Sequence, residues 1–271
     1  MFTVHPITDL DHPELEPYRT MKRVEEHRLR GIFVAEGDKV VKRLLASNHG
    51  IISMLLPSDR LECFSTLLEA RPEEVTVYTA SKPLLETLTG YVMYQGVLAL
   101  GRVPAARQVH ELVVPGQPVL LTALEGIANA ENMGVILRNA AAFGFAGAIV
   151  GESSCSPYLR RAVRNSMGAV FNLPVVESPS LRSSLLKLKG LGVRLIAAHP
   201  HSDEVTLHTA DLRGSVCVVL GSEGHGITEE TLALCDAAVA IPRHREVDSL
   251  NVASAAAAFF YEARKQNPRP A

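Results

Sequence analysis

PVLLTALEGIANAENMGVILRNAAAFGFAGAIVG, the segment from Pro118 to Gly151, contains two apolar runs on either side of a helical pattern. The runs cover residues 118–124 and 146–151, and the helical pattern covers residues 133–143. Val, Ile, Leu and Ala at consecutive positions are typical of parallel strands that are covered on both faces. The segment therefore predicts a β-α-β unit and favours an α/β fold.

The same alternation continues to the end of the chain. Further strands are predicted at 193–199, 215–221 and 237–242, and further helices at 157–166, 180–191, 228–235 and 250–266. This pattern predicts an open, doubly wound parallel sheet, and such sheets bind ligands at the carboxyl ends of their strands. The loops after residues 124, 221 and 242 are therefore the first places to look for a site.

The first hundred residues predict a second, smaller α/β domain. Its strands are expected at 31–37, 51–57, 75–80 and 96–102, and its helices at 18–30, 38–47, 58–70 and 81–89. Residues 102–118 contain three prolines and no strong periodicity, which is typical of a linker. We therefore expect a smaller domain over residues 1–103, a linker over 104–117 and a larger domain over 118–271.

Composition gives little indication of a partner. The chain has 271 residues, with 27 Lys and Arg against 29 Asp and Glu, so its formal net charge is −2. A strongly basic chain would indicate nucleic acid, and this balance argues mildly against it. The four cysteines form no C-x-x-C pair, which fits a reducing compartment. We find neither a signal-peptide pattern nor an apolar run long enough for a membrane span, and we expect a cytoplasmic protein.

The loop after residue 124 leads into a helix that contains Asn132, Gly134 and Arg138. Asn132 stands where a helix N-cap is expected, because its side chain can accept hydrogen bonds from first-turn N–H groups. Arg138 lies among small and apolar residues, an unusual setting for a side chain that is normally exposed or paired. Taken alone, the loop is explained more simply as a capped helix with one surface arginine.

The loop after residue 221 lies in VVLGSEGHGIT, residues 218–228, and is rich in glycine. Such a loop can present backbone N–H groups to a ligand, as P-loops do for phosphate. Ile227 occupies the lysine position of a P-loop, and Glu229 replaces the last glycine of the dinucleotide fingerprint. The stretch therefore predicts either a surface turn or a backbone-mediated site for some other ligand, with Glu223 as its charged side chain.

The loop after residue 242 lies in AIPRHREVDSLNVASAAAAFF, residues 240–260, and leads into the last helix. Asp248 or Ser249 is the expected N-cap, so Asn251 lies just inside the helix and is not needed for capping. The small residues after Asn251 predict very tight packing against a backbone or another subunit.

Taken together, the three loops resemble the three motifs of the SpoU (TrmH-like) RNA 2′-O-ribose methyltransferases of the SPOUT superfamily. The matching stretches are NAENMGVILRNAAAFG, VVLGSEGHGIT and IPRHREVDSLNVASAAAAFF, and they occur in the family's order. The resemblance implies a deep trefoil α/β knot in the larger domain. The first hundred residues, including FVAEGDKVVKRLLAS, are similar to a ribosomal-protein-like α/β substrate-binding domain.

The resemblance also implies a homodimer, S-adenosylmethionine as the cofactor and no metal. The cofactor pocket would be lined by Gly221, Ile241 and Leu250. The polar catalytic set would be Asn132, Arg138, Glu223, Ser249 and Asn251. Because a guanidinium stays protonated, Arg138 is expected to act as a charge clamp on the ribose or a phosphate rather than as a base.

The implied reaction is methyl transfer to a ribose 2′-hydroxyl, with rRNA favoured over tRNA by the large N-terminal domain. Three clusters could contact RNA phosphates: Arg19, Lys22 and Arg23; Arg160, Arg161 and Arg164; Arg243 and Arg245. A tRNA enzyme, a base methyltransferase and a non-catalytic RNA-binding protein on the same fold stay open as alternatives. His199, His201 and Asp203 have a spacing that only weakly suggests a metal, and we expect none.

Overall fold

The strands and helices expected from the sequence recur, with a few changes, in a computed structural model of the chain. The residues that the structure describes are 1–89, 96–200, 205–242, 244 and 249–268. The chain divides into two units. The first unit comprises Met1–Ala105 and Tyr158–Phe171, and the second unit comprises Ala106–Pro157 and Asn172–Ala271.

The first unit contains a five-stranded mixed sheet in the order β1-β4-β3-β5-β2. Its strands are β1 (Phe2–Pro6), β2 (Ile32–Glu36), β3 (Ile51–Pro57), β4 (Val75–Ala80) and β5 (Leu98–Arg102). Strands β1, β3 and β4 run parallel, whereas β5 is antiparallel to both β3 and β2. The apolar runs predicted β3 and β4 with their observed bounds, but not the exposed edge strand β1.

Short helices surround this sheet. They are α1 (Glu16–Arg19), α2 (Val24–Leu29), α3 (Asp38–Leu45), α4 (Ser65–Glu69) and α5 (Lys82–Thr89). Two expected helices are interrupted: the polar helix at 18–30 breaks between α1 and α2, and the helix at 58–70 begins as a 3-10 helix over Ser58–Phe64. Leu15, Tyr18 and Met21 pack with Leu55 and Leu98 of the sheet in one buried cluster.

The second unit contains the predicted parallel sheet, with six strands in the order β11-β9-β10-β6-β7-β8. The strands are β6 (Leu120–Leu124), β7 (Gly147–Val150), β8 (Val175–Glu177), β9 (Arg194–Ala198), β10 (Val216–Leu220) and β11 (Ala237–Val239). Every residue of β6, β7 and β10 is buried, as expected for strands covered on both faces. Strand β8 was not predicted from the sequence.

The remaining helices are α6 (Ala130–Ala142), α7 (Arg160–Asn165), α8 (Leu181–Gly190), α9 (Glu229–Leu232) and α10 (Val252–Gln266). Of these, α7 belongs to the first unit and the others to the second. Leu185 and Leu188 of α8 pack with Leu121, Leu195 and Cys217 of the sheet. No helix within the described ranges combines the length and the apolar character that a membrane crossing requires.

The segment expected to be a linker, 104–117, contains a short 3-10 helix over Val109–Leu112. Both of these end residues are buried in the core of the second unit. The division into units also differs from the sequence boundary at residues 158–171, which group with the first unit. The side chains of Tyr158 and Phe171 explain this grouping, since both lie against Phe33 of β2 with ring centroids 5.5 and 5.6 Å apart.

Candidate active site

A cavity of about 310 Å³ lies at the carboxyl ends of three adjacent strands, β9, β10 and β11. Gly221 follows β10, His199 follows β9 and Ile241 follows β11, and all three line it. On the α10 side it is closed by Val252, Ala255 and Phe259, which are three or four residues apart and so share one helix face. This position matches the rule that open α/β sheets bind ligands beyond the carboxyl ends of their strands.

The structure brings the three residues predicted to bind the cofactor, Gly221, Ile241 and Leu250, together in the lining of this cavity. Glu223 and Ser249 of the predicted polar set line it as well. These five residues come from two loops that are separated by a strand and a helix. The sequence motifs thus converge on one concave site.

The loop after β10 closes on itself. The N–H of Ser222 donates to the carbonyl of Gly226 at 3.0 Å, and the N–H of Gly226 donates to the carbonyl of Ser222 at 2.9 Å. A Cβ on Gly221 would lie 2.2 Å from the carbonyl carbon of Gly226, so only glycine fits there. The missing side chain therefore lets the two sides of the loop approach each other closely, and Gly221, Gly224 and Gly226 line the cavity with backbone atoms.

The N-cap of α6 differs from the prediction. Asn129, not Asn132, caps the helix, because its side chain accepts hydrogen bonds from the N–H groups of Glu131 and Asn132. The side chain of Asn132 is thereby left for another contact, and it donates through Nδ2 to Oε1 of Glu223. The first turn of α6 is thus tied to the glycine-rich loop.

The N-cap of α10 also differs from the prediction. Asn251 caps this helix, since its Oδ1 accepts from the N–H groups of Ala253 and Ser254 at 2.9 and 3.4 Å. Its Nδ2 donates to Oδ1 of Asn132 at 3.2 Å. Asn132 therefore links Glu223 to Asn251, and residues from all three sequence motifs form one hydrogen-bonded chain.

Arg138 lies on α6 about one and a half turns beyond Asn132, and its side chain is exposed. Within the part of the chain that the structure describes, Arg138 makes no hydrogen bond or ion pair. The backbone beneath it is fixed, because Nδ2 of Asn139 donates to the carbonyl of Ala253 in α10 at 3.1 Å. The helix thus holds an unengaged guanidinium on a rigid support.

Helix α10 is anchored to α6 at its far end as well. Arg264 donates to the carbonyls of Phe143 and Gly144 at 2.7 and 2.6 Å, and so satisfies the C-terminal end of α6. Ala256 and Ala263 are fully buried, in accord with the tight packing that the small residues predicted. Both helices that supply polar site residues are therefore immobilised against each other.

The cysteines of the second unit are poor nucleophiles. Burial raises the pKa of Cys155 to about 11 and that of Cys235 to about 12, with smaller contributions from Glu177 and Asp236 respectively. Burial also raises the pKa of Cys217 strongly. These thiols stay protonated near neutral pH, so covalent catalysis through them is disfavoured.

The predicted basic clusters differ in their surroundings. Arg19, Lys22, Arg23, Arg161 and Arg164 are exposed. Arg160 is mostly buried and pairs with Glu36 of β2, which also accepts from Arg164 at 2.9 Å. Arg243 and Arg245 lie outside the described residues.

His201 and Asp203, which were considered as metal ligands with His199, also lie outside the described residues. Within the described ranges, the structure contains no group of three or more His, Cys, Asp or Glu side chains that could hold a metal ion.

Sequence reasoning missed Glu125, which lies directly after β6. Its carboxylate accepts hydrogen bonds from the N–H and Oγ1 of Thr228, both at 2.9 Å, and from Oγ1 of Thr231 at 2.6 Å. The only sequence signal was its place at a strand end. Its partners lie more than a hundred residues away, and no local pattern could have shown them.

Several known proteins are similar to this chain in sequence or in fold. An uncharacterised tRNA/rRNA methyltransferase of Mycobacterium tuberculosis is 34% identical over 96% of this chain and 91% of its own length. The 23S rRNA (guanosine-2′-O-)-methyltransferase RlmB of Xanthomonas campestris pv. campestris is 32% identical over 73% of this chain and 81% of its own. The crystal structure of the AdoMet-bound rRNA methyltransferase from Sinorhizobium meliloti superposes with a TM-score of 0.85 at 25% identity, covering 97% of this chain and 98% of that one.

The family comparison gives the same result, since residues 119–261 match the sequence model of the SpoU rRNA methylase family. The match includes all three loops that carry the predicted site. The chain belongs to the SpoU rRNA methylase family.

Proposed function

We propose that this protein transfers a methyl group from S-adenosylmethionine to a ribose 2′-hydroxyl of RNA. The observation that carries the proposal is a cavity at the carboxyl ends of three parallel strands, beside a hydrogen-bonded chain of predicted catalytic residues. The relative named as a 23S rRNA (guanosine-2′-O-)-methyltransferase favours 23S rRNA as the target. The free thiols of all four cysteines support a cytoplasmic location as part of the same proposal.

The cavity has the character that S-adenosylmethionine needs. Its volume of about 310 Å³ is within the usual range for small-molecule pockets. Leu220, Ile241 and Leu250 supply apolar surface, and Gly221, Gly224 and Gly226 line the cavity with backbone atoms. When bound, S-adenosylmethionine supplies a methyl group that its sulfonium has already activated.

Arg138 provides the charge that the acceptor RNA needs. Its guanidinium can donate up to five hydrogen bonds and stays protonated, so it can hold a ribose oxygen or a neighbouring phosphate. A fixed positive charge beside the 2′-hydroxyl lowers the pKa of that hydroxyl and stabilises the negative charge that develops on it. A proton acceptor such as water or a phosphate oxygen then completes the deprotonation.

The remaining polar residues orient these groups. Asn132 is held by both Glu223 and Asn251, so the start of α6 keeps a fixed distance from the cavity loop. Ser249 is exposed at the cavity edge, where it can contact the ribose or Arg138. Alignment of this kind is a major contribution to transfer reactions that need in-line geometry.

The proposal includes the trefoil knot and the homodimer of the resemblance. Two contacts support a threaded C-terminal segment, because α10 begins beside the first turn of α6 and also closes the cavity beyond β10. Tyr261 of α10 is 58% exposed and lies edge-on to Phe143. An exposed aromatic side chain on α10, beside the half-buried Phe143, supports a subunit interface there. Light scattering in solution tests the dimer.

RNA contacts are proposed for the exposed basic residues Arg19, Lys22, Arg23, Arg161 and Arg164. They are also proposed, from the sequence alone, for Arg243 and Arg245, which lie outside the described residues. Arg160 is a weaker candidate than the sequence suggested, since its ion pair with the buried Glu36 already occupies its guanidinium. A near-neutral protein with few phosphate contacts should show only a modest salt dependence of RNA binding.

The decisive test is incubation with methyl-labelled S-adenosylmethionine and either rRNA or tRNA, followed by alkaline hydrolysis. A 2′-O-methyl group blocks hydrolysis at the adjacent phosphodiester, so label is expected in alkali-resistant dinucleotides from rRNA. Label in mononucleotides would indicate a base methyltransferase, and label in tRNA alone would make tRNA, rather than rRNA, the substrate. A protein that binds RNA but transfers no label would be the non-catalytic alternative.

A further inference from the structure

Glu125 contacts both ends of the cavity loop. Its N–H donates to the carbonyl of Leu220, the last residue of β10, at 2.9 Å. Its carboxylate accepts the three hydrogen bonds from Thr228 and Thr231, which follow the loop. Glu125 therefore holds both ends of loop 221–227, one through its backbone N–H and the other through its carboxylate.

Between these ends the loop behaves as a small closed hairpin. The paired Ser222 and Gly226 close the hairpin, and the N–H of His225 donates to Oγ of Ser222 at 3.1 Å. A Cβ on Gly126, the residue after Glu125, would lie 3.3 Å from Cβ of Ser222, so the chain at Glu125 packs closely against the hairpin. The internal bonds fix the shape of the hairpin, whereas the Glu125 contacts fix its orientation relative to the sheet.

The chemistry at Glu125 suits a rigid anchor. A carboxylate offers about four lone-pair sites, and three of them are used by donors on two residues. Hydrogen bonds to a charged acceptor are about twice as strong as neutral ones. Glu125 does not line the cavity, so any effect on a ligand must pass through the loop.

We propose that Glu125 is a positioning residue that sets the affinity for S-adenosylmethionine by fixing the orientation of loop 221–227. The inference rests on the proposed function, because it takes the cavity to be the cofactor site. The Glu125 side chain contacts neither S-adenosylmethionine nor RNA, and it acts by holding the loop in the orientation that binds the cofactor.

The test compares Glu125→Ala, Glu125→Gln and Thr231→Val with the unaltered protein. Glu125→Ala should weaken binding of S-adenosylmethionine about tenfold, the loss that follows from about 1.4 kcal/mol. Glu125→Gln should weaken binding less than Glu125→Ala does. The amide oxygen of Gln can still accept from the N–H of Thr228, and its NH2 group can donate to the threonine hydroxyls. Thr231→Val removes one buried hydrogen-bond donor to Glu125 and should weaken binding of S-adenosylmethionine by a smaller factor than Glu125→Ala does.

Two readouts separate positioning from general loss of structure. Calorimetric titration with S-adenosylmethionine gives its affinity, and steady-state kinetics at saturating cofactor give kcat and the KM for RNA. Positioning predicts weaker binding of S-adenosylmethionine in the titration, with kcat and the KM for RNA nearly unchanged. Equal losses in all three parameters, or unchanged cofactor affinity, would overturn the inference.

Hydrogen exchange of the cofactor-free protein provides the readout that is independent of activity. The amide of Thr228, which donates to the Glu125 carboxylate, should exchange about tenfold faster in Glu125→Ala, whereas the amides of Ser222 and Gly226 stay protected by the internal bonds of the hairpin. Glu229→Gln is the matched control, because it removes an equal charge from the residue next to Thr228. The side chain of Glu229 is exposed and makes no hydrogen bond within the described residues, so exchange and affinity should stay unchanged.

The two proposals can fail separately. A wild-type protein that binds S-adenosylmethionine but leaves RNA unlabelled would overturn the proposed function alone. Unchanged affinity and unchanged exchange of the Thr228 amide in Glu125→Ala, with normal RNA methylation by the wild type, would overturn the role of Glu125 alone. If Glu125→Ala does not fold, Glu125→Gln and Thr231→Val carry the same comparison.

Discussion

The two units of the molecule use their charged and polar side chains differently. In the first unit Glu36 is 7% exposed and pairs with Arg160 and Arg164. The side chain of Arg71 is 6% exposed and pairs with Glu73 at 2.6 Å. These groups pair with one another within the unit, so substituting them should lower the free energy of unfolding.

At the cavity edge of the second unit the arrangement is reversed. Glu223 and Asn251 are exposed, and both are held by Asn132. Arg138 is exposed and has no partner within the described residues. Polar groups held in place but not fully engaged are available to a ligand. Substitutions of the paired residues in the first unit should therefore change stability, whereas substitutions at the cavity edge should change binding and catalysis.

The largest expected effect is on catalysis by Arg138→Ala. Removing this unengaged guanidinium should lower kcat for RNA methylation about 10³-fold, because the developing negative charge loses its stabilising donor. Its affinity for S-adenosylmethionine should stay close to the wild-type value, since Arg138 does not line the cavity. Labelled-methyl transfer and calorimetric titration measure the two quantities.

Arg182→Ala is the control for this substitution. Arg182 also lies exposed in the second unit, where it pairs with the exposed Glu230 at 2.8 Å, and its loss should leave kcat unchanged. If the kcat of Arg138→Ala is within tenfold of the wild-type value, Arg138 is not a catalytic residue, although it has no partner within the described residues.

The next effect concerns the cavity itself. Gly221→Ala would bring a Cβ within 2.2 Å of the Gly226 carbonyl carbon, so the hairpin must shift away from its place in the cavity. We expect cofactor affinity to fall about 100-fold, a loss near 2.7 kcal/mol. Calorimetric titration measures it, and thermal unfolding checks that the variant is folded.

Gly224→Ala sharpens the result, because a Cβ at that position of the same hairpin meets no heavy atom within 4 Å. Its loss of affinity should be far smaller than that of Gly221→Ala. Similar losses in both variants would mean that glycine content, rather than the close approach at Gly221, determines binding.

Sequence reasoning predicted the buried strands well, because continuous apolar runs depend little on distant partners. Strands β3 and β4 have their predicted bounds. Strand β1 was missed, since its exposed residues show no apolar run and it exists only through pairing with β4. The pattern of a strand at a sheet edge is determined by its partner rather than by its own residues.

The sequence named residues that the structure brings together around the cavity, but not the contacts among them. The N-cap of α6 is Asn129 and not the expected Asn132, because asparagines three residues apart satisfy the same local rule. The N-cap of α10 is Asn251 and not the expected Asp248 or Ser249. What distinguishes Asn129 from Asn132 is the carboxylate of Glu223, 91 residues away from Asn132 in the chain. Glu125 was missed for the same reason, as its partners are determined by the fold.

The contrast between the units also predicts that Glu36→Gln destabilises the first unit. Neutralising the buried carboxylate removes the charge with which Arg160 and Arg164 pair, and we expect the free energy of unfolding to fall by about 2 kcal/mol. Urea unfolding measures the change. Glu25→Gln is the control, since its pair with Arg28 at 3.8 Å is mostly exposed and should contribute at most about 0.5 kcal/mol.

Cofactor affinity should be unchanged in Glu36→Gln under conditions where the protein is folded. A loss of affinity comparable with that of Gly221→Ala would show that the two units do not divide stability and binding between them.

The smallest effect is a pH dependence carried by His27 of α2. The side chain is buried, and its Nε2 lies 3.3 Å from Oγ1 of Thr20. Burial lowers its pKa below the ordinary value of 6.5, and the charge of Arg30 lowers it further, while Glu16 opposes the shift. The unfolded chain therefore takes up a proton at His27 at a higher pH than the folded protein does.

The sign of the effect follows from this difference in proton binding. Above pH 6.5 His27 is neutral in both states, and the stability it contributes is fully present. As the pH falls below 6.5 the unfolded state binds more protons, so the free energy of unfolding decreases until the pH passes the lowered pKa of the folded state. Urea unfolding at about pH 7.5 and about pH 5.5 should therefore show the wild type to be less stable at the lower pH.

His27→Gln removes the titrating group and should reduce that loss of stability between the two pH values. Affinity for S-adenosylmethionine should not change, because His27 belongs to the first unit and the cavity to the second. If the unfolding free energies of the variant and the wild type fell in parallel, a buried histidine would not be part of the charge balance that stabilises the first unit.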